Sequence, residues 1–199
     1  ADNWSGSGAL WQRLVEHIWL TLISVLVACL IAIPVGLWLG HVGRGGGLAI
    51  NVGNIGRAVP TFAVIVLLYL APAPFGVTTL SLVVALVLFC LPPLLTNTYV
   101  GMREVDRDTV EAANGMGMSG TQVLRRVEVP LAAGLILNGV RLAAVQGVAT
   151  AAIAGTVGGG GLGRVITFGF RTQDRAVLVA GALLVTILAL ILEVSLAYV

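Results

Sequence analysis

Long apolar runs alternate with short polar ones from one end of the chain to the other. Ala1 to Gly8 is polar and glycine-rich and predicts a loose terminus. Leu10, Trp11, Leu14, Val15 and Ile18 then recur at helical spacing, with Gln12, Arg13 and Glu16 on the other face, which predicts an amphipathic lead-in at a membrane interface. The first span follows at about 18–40. It carries no charge and is longer than the apolar region of a signal peptide, so it is read as a spanning helix with Pro34 as a kink. Trp19 and Trp38 lie 19 residues apart in it. At the helical rise that is about 28 Å, close to the ~30 Å of a bilayer core, so the two rings read as interfacial anchors.

His41 to Gly47 predicts a tight turn before a second span at about 48–70. This span is unusually polar, with Asn51, Asn54 and Arg57, and has Pro60 near its middle. Polar groups and a proline at membrane depth are tolerated where they face protein or water. The helix is therefore a candidate lining of an internal path, while an interfacial, snorkelling Arg57 is the competing reading. Ala71 to Gly76 is a proline-rich turn. The third span, about 77–101, has Pro92, Pro93 and Asn97 placed to break its second half. A polar stretch at 102–129 precedes the fourth span, about 130–156, where Pro130 suits the first turn. Gly155 to Gly163 cannot be a regular helix, residues 164–175 carry Arg164, Arg171, Asp174 and Arg175, and a fifth span covers about 176–199. The expectation is an all-α polytopic membrane protein, one domain over 1–199 with about five transmembrane helices.

Composition agrees with this reading. Hydrophobic residues make up 58% and charged ones 10% of the 199 positions, against about half and a quarter in soluble domains. The net charge of +2 gives no basis for binding nucleic acid. Cys29 and Cys90 both lie inside apolar runs and read as small core residues; with two distant histidines there is no metal-site pattern. Five spans place the termini on opposite sides. Arg44, Arg103, Arg107, Arg125 and Arg126 would then face Arg13, Arg164, Arg171 and Arg175, five against four, so charge counting leaves orientation open.

The polar stretch has its own helix grammar. Asp108-Thr109-Val110-Glu111 fits a capping box, and Ser119-Gly120-Thr121-Gln122 fits a second. Two short helices with a bend at Gly115 and Gly117 are expected, the second running through Val123 to Val127. Val110, Ala113, Met116, Val123, Leu124 and Val127 are expected to offer an apolar face to the groove of a soluble partner.

Glu111-Ala112-Ala113, then Gly117, then Val127-Glu128-Val129-Pro130 resembles the cytoplasmic loop of the permease subunits of bacterial ABC importers, with each spacing kept and Val in place of Ile and Leu. The resemblance extends from about Trp11 to the end. It implies the type I permease fold and coupling helices seated in an ATP-binding subunit, with Asp108, Glu111, Ala112, Ala113, Met116, Gly117, Met118, Val127 and Pro130 as the coupling set. It also implies a location in the bacterial cytoplasmic membrane, with the N-terminus outside and the C-terminus inside. The implied partners are two ATPase subunits, a second like or unlike permease subunit, an extracytoplasmic binding protein and membrane lipid. ATP and Mg would be held by the partner ATPase and no cofactor by this chain, which lacks a Walker motif and is not expected to be an enzyme.

Asn97 to Met102 with Val105-Asp106, the Gly115-Met116-Gly117-Met118 repeat and the run from Thr156 to Gly163 are similar to permeases for glycine betaine, choline and carnitine. A Gly-Gly-Leu-Gly segment also occurs in methionine permeases, which keeps a methionine-like solute as the alternative. A channel without an ATPase is more remote, and so is an intramembrane enzyme. Asn54, Arg57, Pro60, Thr61, Asn97 and Thr98 are path candidates by polarity. Gly158, Gly159, Gly160, Gly161 and Gly163 read as a re-entrant gate or a docking surface for the binding protein. Glu16 and His17 read as a solvated membrane edge.

Overall fold

A computed structural model describes residues 7–197, without the side chains at positions 7, 8, 48, 50, 52 and 57. The expectations for residues 1–6, for the last two residues and for the Arg57 side chain thus fall outside the described residues. Among the described residues, every regular element is helical.

Helix α1, Ser7–Val42, is one rod of 36 residues. At the helical rise this is about 54 Å, so it crosses a bilayer and projects beyond it. The amphipathic lead-in is thus the first part of the same helix, which continues through Pro34. Its hydroxyls turn inward onto its own backbone, Thr21 Oγ1 donating to the His17 carbonyl at 2.9 Å and Ser24 Oγ to Leu20 at 2.7 Å. Trp11, Trp19 and Trp38 face outward.

The second expected span is two helices, α2 (Gly46–Ala58) and α3 (Thr61–Leu70). The cause is local. The residue before a proline is driven out of the helical region, and Val59 is extended, with ψ 122°, ahead of Pro60. Together the two short helices still run the length of α4 (Thr79–Glu104) in the opposite direction. Gly46 lies against Tyr99, Gly53 against Thr96 and Gly56 against Pro92, and Ile65 packs with Leu82 and Ala85.

Helix α4 is unbroken through Pro92 and Pro93, contrary to the expected break. Proline costs an isolated helix a hydrogen bond and a steric clash. Here the prolines are buried and flanked by neighbours: a Cβ on Gly56 would lie 2.2 Å from Pro92 Cγ, so α2 makes room for the ring. Helix α7, Val129–Ala154, completes the centre. Val25, Ala28, Ala32, Val87, Cys90, Leu94, Ala143 and Ala144 form the core shared by α1, α4 and α7. Small residues let helix backbones approach closely where lipid offers no hydrophobic drive for association. Both cysteines are free, as core residues.

A 3₁₀ turn at Gly155–Val157 leads through the glycine run to α8 (Gly163–Thr172), which hairpins onto α9 (Arg175–Ala197). Among the described residues, Ala9–Val42, Thr79–Glu104, Gly120–Val157 and Arg175–Ala197 are long and apolar enough to cross a membrane, and α2–α3 adds a broken fifth traverse. The start of α1 contacts the glycine run, whereas its end contacts residue 128. Glu193, late in α9, pairs with Arg141 of α7. The glycine run and residue 128 thus lie at opposite ends of the bundle.

Candidate functional site

The polar stretch forms two short helices and a bend. Helix α5 spans Arg107–Gly115 and is capped by Asp106, two residues ahead of the expected Asp108. Asp106 accepts the Asp108 amide N–H at 3.2 Å and the Thr109 hydroxyl at 3.3 Å. Asp108 instead occupies the first turn, where a negative charge meets the positive end of the helix dipole. The helix ends in a Schellman motif: the Met118 N–H donates to Ala113 at 3.3 Å and the Gly117 N–H to Asn114 at 2.9 Å. That closure needs a left-handed residue, and Gly117 has φ +83°. The spacing from Glu111-Ala112-Ala113 to Gly117 is therefore the distance from one turn of helix to its left-handed terminator.

Helix α6, Gly120–Val123, opens with the Ser119 N–H donating to Gln122 Oε1 at 2.8 Å, the Gln half of the expected capping box. It does not stop at Val127. It passes through a π-turn, Leu124–Glu128, directly into α7, with the Val129 N–H reaching back to the Leu124 carbonyl. A proline ring crowds the carbonyl four residues earlier. For Pro130 that carbonyl belongs to Arg126, inside the widened turn.

The apolar face of the loop points inward, which corrects the expected docking ridge. Ala113 and Val123 are buried, and Val110, Leu124 and Val129 pack on Met102, Val105, Ala132 and Ile136, with Ile33 and Leu37 of α1 alongside. Outward lie Asp108, Glu111, Ala112, Asn114, Arg125 and Arg126, with Met116 at the tip, 77% exposed. Charge repels lipid and the membrane domain offers its own apolar seat, so the amphipathic loop turns its greasy side home. Val127 and Met118 are half-buried beneath the outer face, and Pro130 is exposed at the root of α7.

At the other end of the bundle the glycine run is packed against α1. Gly161, with φ +74°, donates its N–H to Glu16 Oε2 at 2.9 Å, and a Cβ on Gly160 would sit 1.8 Å from Glu16 Oε1. Arg13 Nη1 also meets Glu16 Oε2, at 3.0 Å. His17 is buried, with Nε2 3.0 Å from the Val148 carbonyl. Glu16 and His17 are thus contacts of the tertiary fold, not the solvated edge expected from their position. Gly159, Gly160, Gly161 and Gly163 are buried and Gly158 is exposed. The run borders a polar cavity of about 140 Å³ lined by Glu16, Tyr69, Thr78 and Arg164 among others.

Residues 32–199 match the family described as binding-protein-dependent transport system inner membrane component. The chain belongs to this family. A choline transport system permease protein of Bacillus subtilis, OpuBB, is 35% identical over 97% of this chain and 88% of its own length. A carnitine transport permease protein of Listeria monocytogenes, OpuCD, is 38% identical over 92% of this chain and 82% of its own. A chain of an inward facing structure of the MetNI methionine ABC transporter shares the fold, with a TM-score of 0.83 and 22% identity over 97% of this chain and 96% of that one. The protein is therefore a multi-pass membrane permease subunit.

The path candidates of this permease separate once the helices are packed. Thr61 lines an apolar cavity of about 310 Å³ at the α2–α3 break, with Ile55, Gly56, Val59, Phe89 and Pro92. An adjoining cavity of about 290 Å³ adds Pro93, Leu142 and Gln146. Asn54 and Pro60 are exposed. Asn97 donates from Nδ2 to the Pro93 carbonyl at 2.8 Å and accepts from Asn138 at 3.3 Å, joining α4 to α7. Thr98 leaves the set: it is buried between α1 and α4, where a Cβ on Gly36 would meet it at 2.7 Å. Phe89 and Gln146, which are not among the path candidates, line the cavities. Phe89 is apolar and Gln146 is one amide in a long span, so only their shared position marks them.

Proposed function

We propose that this permease is the membrane subunit of an ATP-driven importer for osmoprotectants of the quaternary-amine type, glycine betaine, choline or carnitine. The loop at residues 107–128 carries the reading. Its apolar side is seated on the membrane domain, and its charged side with Met116 is free for a soluble partner. The motif spacing supports an ABC ATPase as that partner, with two copies acting on a pair of permease subunits. ATP and Mg belong to those subunits. Closure of the ATPases would carry the loops as rigid bodies and shift the spans between inward-open and outward-open states, the differential contact being made at the loop.

The substrate class follows from relatives named for choline and carnitine that match nearly the whole chain. The likeness to the methionine transporter is one of fold alone, so methionine is the second reading. An external binding protein would deliver the solute, holding a quaternary amine by cation–π attraction. The loop end of the bundle is assigned to the cytoplasm, which puts the start of α1 outside and the end of α9 inside.

Glu111→Lys or Gly117→Asp is expected to leave the protein in the membrane and to uncouple ATP hydrolysis from uptake. A reconstituted complex that kept full solute-stimulated ATPase activity and uptake with either change would refute the role of the loop. Competition of betaine, choline, carnitine and methionine for uptake tests the substrate class.

A further inference from the structure

The loop is tied to the bundle by a pair of ionisable side chains, neither of which is in the coupling set that the resemblance implies. Glu128, the last residue of the π-turn, is 2% exposed, and its Oε2 meets Nδ1 of His41 in the last turn of α1. The imidazole lies between two parts of the loop: a Cβ on Gly120, the first residue of α6, would stand 3.6 Å from His41 Nε2. A buried carboxylate without a partner is costly. An apolar protein that holds one at the root of its polar loop therefore commits His41 to that spot.

Among the described residues, Val110 and Leu124 make apolar contacts between loop and bundle. Apolar contacts resist separation but have no direction, whereas the carboxylate–imidazole contact fixes register. The π-turn interrupts the regular α-helical ladder between α6 and α7. Beyond His41, α1 and α4 are in backbone-close contact: a Cβ on Gly40 would meet Met102 Cβ at 2.3 Å and one on Gly36 would meet Thr98 Cβ at 2.7 Å.

We propose that His41 and Glu128 form a positioning link that passes displacement of the loop to α1 and, through it, to α4, keeping uptake in step with ATP hydrolysis. The link rests on the reading of this loop as the ATPase-docking element.

The test uses the complete complex of permease, ATPase and binding protein in proteoliposomes, with solute taken up per ATP hydrolysed as the readout. His41→Ala and Glu128→Leu are expected to lower that ratio by about fivefold or more, the lower end of typical coupling between sites. His41→Gln, whose amide can still donate to Glu128, is expected to restore most of it. The double variant should be no worse than the worse single one. A merely structural role would lower uptake and hydrolysis together with the amount of folded complex, leave the ratio unchanged, and overturn the proposal; additive losses in the double variant would overturn the pairing. Should Glu128→Leu fail to assemble, His41→Phe, which fills the space without offering a donor, is expected to assemble with a ratio below the unmodified protein's, and a normal ratio there refutes the link. Glu111→Lys in the same assay separates the two readings. If it stays coupled, the docking assignment fails; if it uncouples while the His41 and Glu128 variants keep the normal ratio, the link alone fails.

Discussion

Gly117 shows how much one position can specify. Its φ of +83° closes the Schellman motif of α5, and open space surrounds it, so the conformation and not crowding selects glycine. Gly117→Ala is expected to cost about 1–2 kcal/mol, the left-handed penalty of a residue with a Cβ. The amides of Gly117 and Met118, whose bonds to Asn114 and Ala113 hold the bend, should then exchange hydrogen faster; unchanged exchange would contradict this account. Arg141 and Glu193 make a different single-residue case. They pair across α7 and α9, two spans with few other charges. Removing one partner strands the other among apolar side chains and lipid, where ionisable groups need a partner. Glu193→Ala is expected to lower the melting temperature in detergent, and Arg141→Leu with Glu193→Leu to recover part of the loss.

At the scale of elements, α1 and α4 are joined by glycines whose missing side chains let the backbones meet. Gly40→Val would place a Cβ 2.3 Å from Met102 Cβ. Overpacking of this kind costs about 1–3 kcal/mol. The variant should melt at a lower temperature, and the loss should shrink in a Met102→Gly background, because the atom it meets most closely is the Met102 Cβ. An equal loss in both backgrounds would show that the two helices do not meet here. The α2–α3 pair teaches a related point about proline. Pro60 breaks its helix, while Pro92 and Pro93 do not break theirs. The difference lies in the surroundings: α2 and α3 rest mainly on one neighbour, whereas α4 is enclosed by α1, α2 and α7.

At the scale of the whole molecule, the loop and the glycine run cap opposite ends of the bundle, so the assigned orientation has a direct measurement. Both native cysteines are removed by Cys29→Ala and Cys90→Ala, and cysteine is introduced at exposed Met116 or exposed Thr172. A membrane-impermeant maleimide added to intact cells is expected to label Thr172→Cys and to reach Met116→Cys only after the membrane is opened. The reverse pattern would invert the assignment. Helix α9 adds a molecular-scale feature: Gly181 is its one buried residue among those described, and its Val179, Leu183, Ile187 and Ile191 are exposed. Such a face suits lipid or a neighbouring membrane subunit.

What the sequence determined by itself was whatever adjacent residues encode. Uninterrupted apolar runs required membrane traverses, because each backbone group in lipid must be bonded internally. Helix-forming and helix-ending residues marked two short helices with a glycine bend, and the interval from Glu111 to Gly117 to Pro130 was readable without coordinates. The tertiary structure decided what depends on helix rotation and depth. It turned the loop's apolar side inward, moved Thr98 from a path to a helix interface, carried α4 through two prolines, and paired His41 with Glu128 across 87 positions and Glu16 with Gly161 across 145. Local propensity and hydropathy fix which segments are helical. Which side chains then meet is set by packing of small residues between helices, a collective property that no window of neighbouring residues contains.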